Sequence, residues 1–117
     1  MEKRVVLIKS PGFANLEKLE KELEDIKLIL GEKEGVGNYY SQNYVYSYRH
    51  LVYDKNNNIY ATIIIERSSI IPIVQYDLDF VSKMKYKDMK LLFKSIDKFK
   101  SKHIINKLRK INSKGGI

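Results

Sequence analysis

The sequence predicts an α+β fold: an N-terminal strand and helix, a three-stranded antiparallel meander, and a basic amphipathic helix at the C-terminus. Three observations carry that expectation. Leu16, Leu19, Leu23, Ile26 and Leu30 recur at spacings of three and four, the period of one helix face. Residues 43–81 are rich in Tyr, Val and Ile and are punctuated by Asp54-Lys55-Asn56-Asn57-Asn58 and Ser68-Ser69, which is strand and turn chemistry. Met89, Leu92, Phe93, Ile96 and Phe99 then resume helical spacing among lysines.

In chain order, Val5 to Lys9 reads as a short strand that Ser10-Pro11-Gly12 terminates. The first helix follows, with Asn15 placed to accept from its free amides and Gly31 suited to the left-handed position after its last turn. Its apolar stripe covers two heptads, too few for a sustained coiled coil, so the expectation is a helix packed on a sheet. Glu17, Glu20, Glu24 and Asp25 form a solvated acidic face, with Glu17 and Lys21 at favourable i,i+4 spacing. Glu32 to Asn38, with three charges and two glycines, reads as a loop. Its Gly35-Val36-Gly37 is no dinucleotide fingerprint, because that motif needs a preceding strand, a following helix and a third glycine.

The meander is expected from residues 43–53, Ile59 to Arg67, and Ile71 to Val81, with a hairpin at Asp54 to Asn58. Pro72 near the start of the third strand removes an amide where its loss is tolerable. In the C-terminal segment, on a wheel that sets Lys83 at zero, the apolar residues from Met89 to Phe99 span about 160° to 280°. Lys83, Lys87, Lys90, Lys94, Lys98 and Lys102 span about 340° to 100° on the same wheel. Ile104, Leu108 and Ile111 drift to about 300°, 340° and 280°, which predicts a bend or break near residues 101–103. One domain over residues 1–112 and a flexible tail over 113–117 complete the expected organisation.

Composition narrows the chemistry. The chain has 117 residues, 44% of them hydrophobic and 31% charged, a globular balance. Its longest apolar runs are far shorter than the roughly 18 to 20 residues that span a bilayer. The four-residue apolar stretch before Lys9 is short for a secretory h-region, so a cytoplasmic protein without membrane contact is expected. Cysteine is absent, which removes disulfides, thiolate nucleophiles and cysteine-ligated zinc. Abundant Asn, Lys, Ile and Tyr is the bias of AT-rich coding sequence.

Charge is divided along the chain: residues 1–82 sum to −2 and residues 83–117 to +10. Such asymmetry points to a polyanionic partner. Six lysines along one helix side, about 29 Å from first to last at 1.5 Å per residue, suit a phosphate backbone. Lysine is a point charge that follows phosphates without reading bases, so little sequence specificity is expected toward DNA or RNA. A second candidate element is the tyrosine group 39, 40, 44, 46, 48, 53 and 60 with Arg49. Exposed tyrosines can stack bases, which puts Tyr46, Tyr48 and Arg49 beside the lysines as candidate nucleic-acid contacts. Against that, Tyr44, Tyr46 and Tyr48 share one strand face and can simply bury beneath the first helix.

No catalytic constellation stands out, and neither a cofactor nor a metal is expected. Glu66, Asp77 and Asp79 lie on neighbouring predicted strands, the last two at i,i+2 spacing as paired metal ligands would be. Glu66 is followed by Arg67 and Ser68, however, and not by the carboxylate-x-lysine arrangement of many nucleases. His50 and His103 stand on different elements, which favours surface or packing roles. A non-enzymatic nucleic-acid-binding protein is the first expectation. The second is a phage or mobile-element interaction protein that inhibits a host nucleic-acid or defence machine by covering an acidic protein surface.

The order strand, helix, three-strand meander, basic turn, helix is also similar to the first two-thirds of the GNAT acetyltransferase fold, and Val81 to Ile96 resembles that family's cofactor-binding segment. Tyr86, Asp88 and Lys90 stand where that family has glycines, so the resemblance implies a degenerate acyltransferase-like domain without a proper acetyl-CoA motif. Other α+β domains share this element order, and no family is assigned from it.

Overall fold

The computed structural model describes residues 11–36, 47–67 and 69–115; the predicted strand at Val5 to Lys9 lies outside them. The architecture is α+β, with two long helices on one face of an antiparallel sheet.

Helix α1 spans Pro11–Glu24. Pro11 occupies its first position, where a missing amide costs nothing; Asn15 is therefore inside the helix and not its cap. The helix also ends earlier than the leucine spacing predicts. Residues 25–27 form a turn in which Lys27 takes a positive φ of 62°, and Leu28 folds back so that its amide donates to the Leu23 carbonyl at 3.0 Å. Leu30 lies in a strand, and Gly31 beyond it has another task.

Strands β1 (Ile29–Leu30), β2 (Glu34–Val36), β3 (Ser47–Tyr53), β4 (Ile59–Glu66) and β5 (Ile73–Tyr76) form the sheet. Its order is β1-β3-β4-β5, with β2 also on β3. Because β4 occupies one edge of β3 along its whole length, β1 and β2 share the other: Ile29 and Leu30 face Tyr53 and Val52, and Glu34 to Val36 face Arg49 to Ser47. Residues 34–36, expected as loop, thus continue an edge strand that Gly31 to Lys33 interrupts. The β3–β4 hairpin turns where predicted. Asn57 adopts φ 68°, and the Asp54 carboxylate accepts from the Asn56 and Asn58 amides at 2.9 Å each. The Asn58 backbone amide, first, lowers the Asp54 pKa; desolvation opposes it, and the Asn58 side chain, the Asn56 amide and the Tyr60 hydroxyl tip the balance downward.

The third strand is shorter than expected. Asp77 caps a one-turn helix α2 (Leu78–Val81), its carboxylate accepting from the amides of Asp79 at 3.0 Å and Phe80 at 3.2 Å. The Asp77/Asp79 alternation is thus a helix start and not a pair of strand ligands. Helix α3 then runs unbroken from Tyr86 to Gly115, straight through residues 101–103 where a break was expected and into the segment expected as tail.

Alternation along the strands sorts the two sheet faces. Val52, Ala61 and Ile63 are buried with Leu19, Leu23, Ile26 and Leu28 of the α1 region, Val81, and Leu92, Ile96 and Phe99 of α3. Tyr76 meets Phe93 edge-on, with centroids 5.0 Å apart. Buried at this depth, each large aliphatic side chain contributes on the order of 2 kcal/mol relative to exposure, so the core fixes α3 by its residues 89–99.

Candidate nucleic-acid interface

Leu92, Ser95, Ile96 and Phe99 face inward on α3, and the opposite azimuth must therefore face water. Lys87, Lys90, Lys94, Lys98 and Lys102 occupy that side, and all five are exposed. From Lys87 to Lys102 they cover about 22 Å of helix. Lys83 is exposed as well, but α3 begins at Tyr86, so this lysine sits in the turn after α2 and extends the row from outside the helix.

The lysines differ in what holds them. Lys98 Nζ donates to Glu22 Oε2 on α1 at 2.8 Å. Burial raises the Glu22 pKa, but hydrogen bonds from Lys98 and Ser95 and the charges of Lys98 and Lys18 outweigh it and leave the carboxyl below its ordinary value. Lys83 lies 5.6 Å from the Phe80 ring centroid and Lys90 5.2 Å from that of Tyr86, contacts that steady the chains without neutralising them. Asp97, near 320° on the same wheel, borders the row. It also faces Tyr76, whose hydroxyl is pushed up to about 12 by burial and, second, by the Asp97 charge.

A groove of about 1040 Å³ separates α1 from α3. Lys18, Glu22 and Asp25 line one side and Lys87, Lys94 and Lys98 the other, so its walls carry both signs. Glu17, Glu20 and Glu24 on α1 and Asp25 in the turn after it are exposed, which makes the lysine row a basic strip bordered by an acidic helix.

The strand candidates do not join this strip. Arg49 alternates with the buried His50 and faces away from the helices, with its Nε 2.8 Å from Glu34 Oε1 across the β2–β3 pairing. Tyr48 shares the core-side parity of His50 and Val52 and is half-buried, and Lys33 Nζ lies 4.0 Å over its ring. Half-buried and covered by Lys33, the Tyr48 ring is not an open stacking platform. Tyr46 lies outside the described residues, as do Tyr39, Tyr40 and Tyr44.

Both histidines have structural surroundings. His50 is buried, and because a carbonyl can only accept, its Nδ1 carries the proton donated to the Gly31 carbonyl at 3.0 Å. His103 packs against the Phe99 ring at 5.9 Å, and its Nε2 is buried without a partner. Among the described residues no cluster of three or more His, Asp or Glu side chains is placed to hold a metal, and no helix is long and apolar enough to cross a membrane. Sequence reasoning missed Glu22 as the partner of Lys98 and Ser95 as a second neighbour of that carboxylate; the only signal was that Glu22 adjoins Leu23 and lies three residues from Leu19 on the helix stripe.

Searches of protein-family models, curated proteins and solved structures return no match to this chain. Between α1 and the meander the chain also inserts β1 and β2, so the acetyltransferase-like element order is not reproduced.

Proposed function

We propose that this protein is a non-enzymatic nucleic-acid-binding protein that docks a phosphate backbone along α3. The observation that supports the reading is the unbroken row Lys87, Lys90, Lys94, Lys98 and Lys102, exposed on the side of α3 opposite its buried face, with Lys83 continuing the row. Cations spaced along a rigid rod gain affinity by releasing counterions from a phosphate chain. Arg49 and Tyr48 are left out of the contact, since one faces away from the helices and the other is half-buried beneath Lys33. Among the described residues no element beside the row is placed to read base edges, so discrimination between sequences is weak.

Fluorescence anisotropy with single- and double-stranded DNA and RNA, titrated in salt, tests this. Four to five phosphate contacts give a log–log slope of about −4 for duplex DNA. Lys87→Glu, Lys90→Glu and Lys94→Glu combined remove binding while leaving the Glu22–Lys98 pair intact. Absence of binding to every form at low salt overturns the proposal.

A further inference from the structure

Three aliphatic residues near the end of α3 are largely uncovered, and a fourth is covered only in part. Ile105, Leu108 and Ile111 are 46%, 44% and 51% exposed, and Ile104 is half-buried. The last α3 residue in the core cluster is Phe99, and from Leu108 to Asn112 every residue is exposed. At 30 residues the helix is about 45 Å long, comparable with the molecule's longest dimension of 47 Å. Because α3 is unbroken, the drift in its apolar positions does not turn them toward the core. They fall between about 280° and 40° on the helical wheel, the azimuth that carries Lys87, Lys90 and Lys94 roughly three to seven turns earlier. The outward side of one helix therefore changes from cationic to apolar beyond Lys102.

Ile104, Leu108 and Ile111 follow the four-three spacing of a coiled-coil seam, and Lys100, Lys107 and Lys114 recur at the flanking heptad position. Residues 98–117 contain seven Lys or Arg and no Asp or Glu. We infer that this seam docks an acidic amphipathic helix of a partner protein, whose apolar stripe covers Ile104, Leu108 and Ile111 and whose flanking glutamates face the lysines.

Charge selects this occupant. A second copy brings lysines against lysines at the flanking positions, which is repulsive. A phosphate chain gains nothing from exposed isoleucines. An anionic membrane favours a wide face with aromatic anchors, whereas residues 100–117 contain no aromatic side chain except His103 and Asn112 interrupts the apolar arc near 20°. A narrow seam with a polar interruption fits a helix in register. This site is separate from the lysine row at Lys87 to Lys94 and does not depend on nucleic-acid binding.

The test uses the full chain and a synthetic helix with Leu and Ile at its seam and Glu at both flanking positions, followed by calorimetry and by amide chemical shifts. One and a half heptads give a weak complex that added salt weakens further. Shifts concentrate at residues 104–112, and Leu108→Glu and Ile111→Glu each weaken binding by at least about tenfold while melting like the parent. A peptide with Lys in place of Glu does not bind. Three results overturn the inference: no binding of the acidic helix at millimolar concentration, binding that both substitutions leave unchanged, or acidic and basic helices binding alike. Sedimentation showing a dimer that Leu108→Glu dissolves assigns the seam to a second copy instead. Leu108-dependent binding to phosphatidylserine vesicles without peptide binding assigns it to a membrane. The triple substitution at Lys87, Lys90 and Lys94 leaves peptide binding in place, so the two surfaces fail or stand independently.

Discussion

Lys98 on α3 and Glu22 on α1 meet at 2.8 Å between Nζ and Oε2, with the lysine side chain 47% and the glutamate 22% exposed. The pair spans 76 positions in sequence, and it takes one cation out of the lysine row to tie the two helices together. Ser95 lies beneath it, 2% exposed. A double-mutant cycle with Glu22→Ala and Lys98→Ala should give a coupling of about 0.5 kcal/mol, since half-exposed pairs are solvent-screened. The single substitutions should differ. Removing Glu22 also leaves the buried Ser95 hydroxyl without its acceptor, so Glu22→Ala should exceed Lys98→Ala by about 1 kcal/mol in urea melts. Equal effects would mean that the serine does not depend on the glutamate.

Gly31 fills the gap between β1 and β2 under tight constraint. Its amide donates to the Leu51 carbonyl at 2.7 Å, its carbonyl accepts from His50 at 3.0 Å, and a Cβ placed on it meets Leu51 O and Tyr53 Cε1 at 3.2 Å each. One obstacle is backbone and cannot swing aside. Gly31→Ala should destabilise by about 1 to 2 kcal/mol through displacement of the edge strand. His50→Phe should cost a similar amount, about 1 to 3 kcal/mol, because the Gly31 carbonyl loses its donor. Amide exchange that accelerates at residues 51–53 in the first variant locates the disturbance; exchange at parental rates there would refute it.

The same glycine shows what periodicity conceals. Leu23, Ile26 and Leu30 keep helical spacing although the chain has already left the helix at Glu24, because the turn at Lys27 returns Leu28 and Leu30 to the same core that a longer helix would have served. Leu28-Ile29-Leu30 was the legible sign, three adjacent apolar residues that no single helix stripe accommodates. The Asp77 and Asp79 alternation misled in the opposite direction, since an aspartate two residues before another satisfies both a strand face and a helix cap, and only the bonds to the Asp79 and Phe80 amides decide. The β3–β4 hairpin and the two-faced α3 were readable because Asn57 and the lysine spacing each admit one local solution. The pairing of Lys98 with Glu22 depends on how α1 and α3 lie side by side, which no local pattern encodes.

Leu92 and Leu108 sit on one helix in contrasting settings. Leu92 is 0% exposed and Leu108 44%. Leu92→Ala empties core volume and should cost about 3 kcal/mol, lowering the melting temperature by about 10 °C or more. Leu108→Ala should stay within about 0.5 kcal/mol, because it removes no buried contact and alanine suits a helix. A large loss at Leu108 would mean that the end of α3 is packed against the body of the protein.

Tyr76 should resist ionisation. Its hydroxyl, pushed up to about 12 by burial and then by Asp97, keeps its proton while the unfolded chain releases it near 10. The folded state then holds more protons, so this residue's contribution is complete below about pH 10 and is lost as pH rises through about 12. Ultraviolet difference titration should show Tyr76 ionising last, with Tyr60, raised by burial and by Asp54, also late, and Tyr76→Phe should remove the last phase. Asp97→Asn should shift that phase downward by less than burial alone contributes.

His103 sets the acid side. Burial disfavours its imidazolium, and the Lys107 ammonium adds repulsion, so its pKa lies below the ordinary histidine value. With Nε2 buried and unpartnered, no acceptor compensates the charged ring. In the unfolded chain the ring takes up its proton near pH 6.5, whereas the folded protein takes it up only at lower pH. The unfolded state therefore binds more protons between those values, and stability falls as pH drops below about 6.5 until the folded ring protonates as well. Carboxylates titrate at the lower end of the same range, so the parent curve alone does not isolate the effect. His103→Gln, which has a neutral amide and no titration, should flatten the stability slope between pH 7 and 5, measured as urea midpoints at constant ionic strength. Lys107→Gln, with the ring retained, should make the downturn shallower, because relieving repulsion of the imidazolium brings the folded pKa closer to the unfolded value. A His103→Gln curve parallel to the parent's through that interval would remove the ring from the acid response.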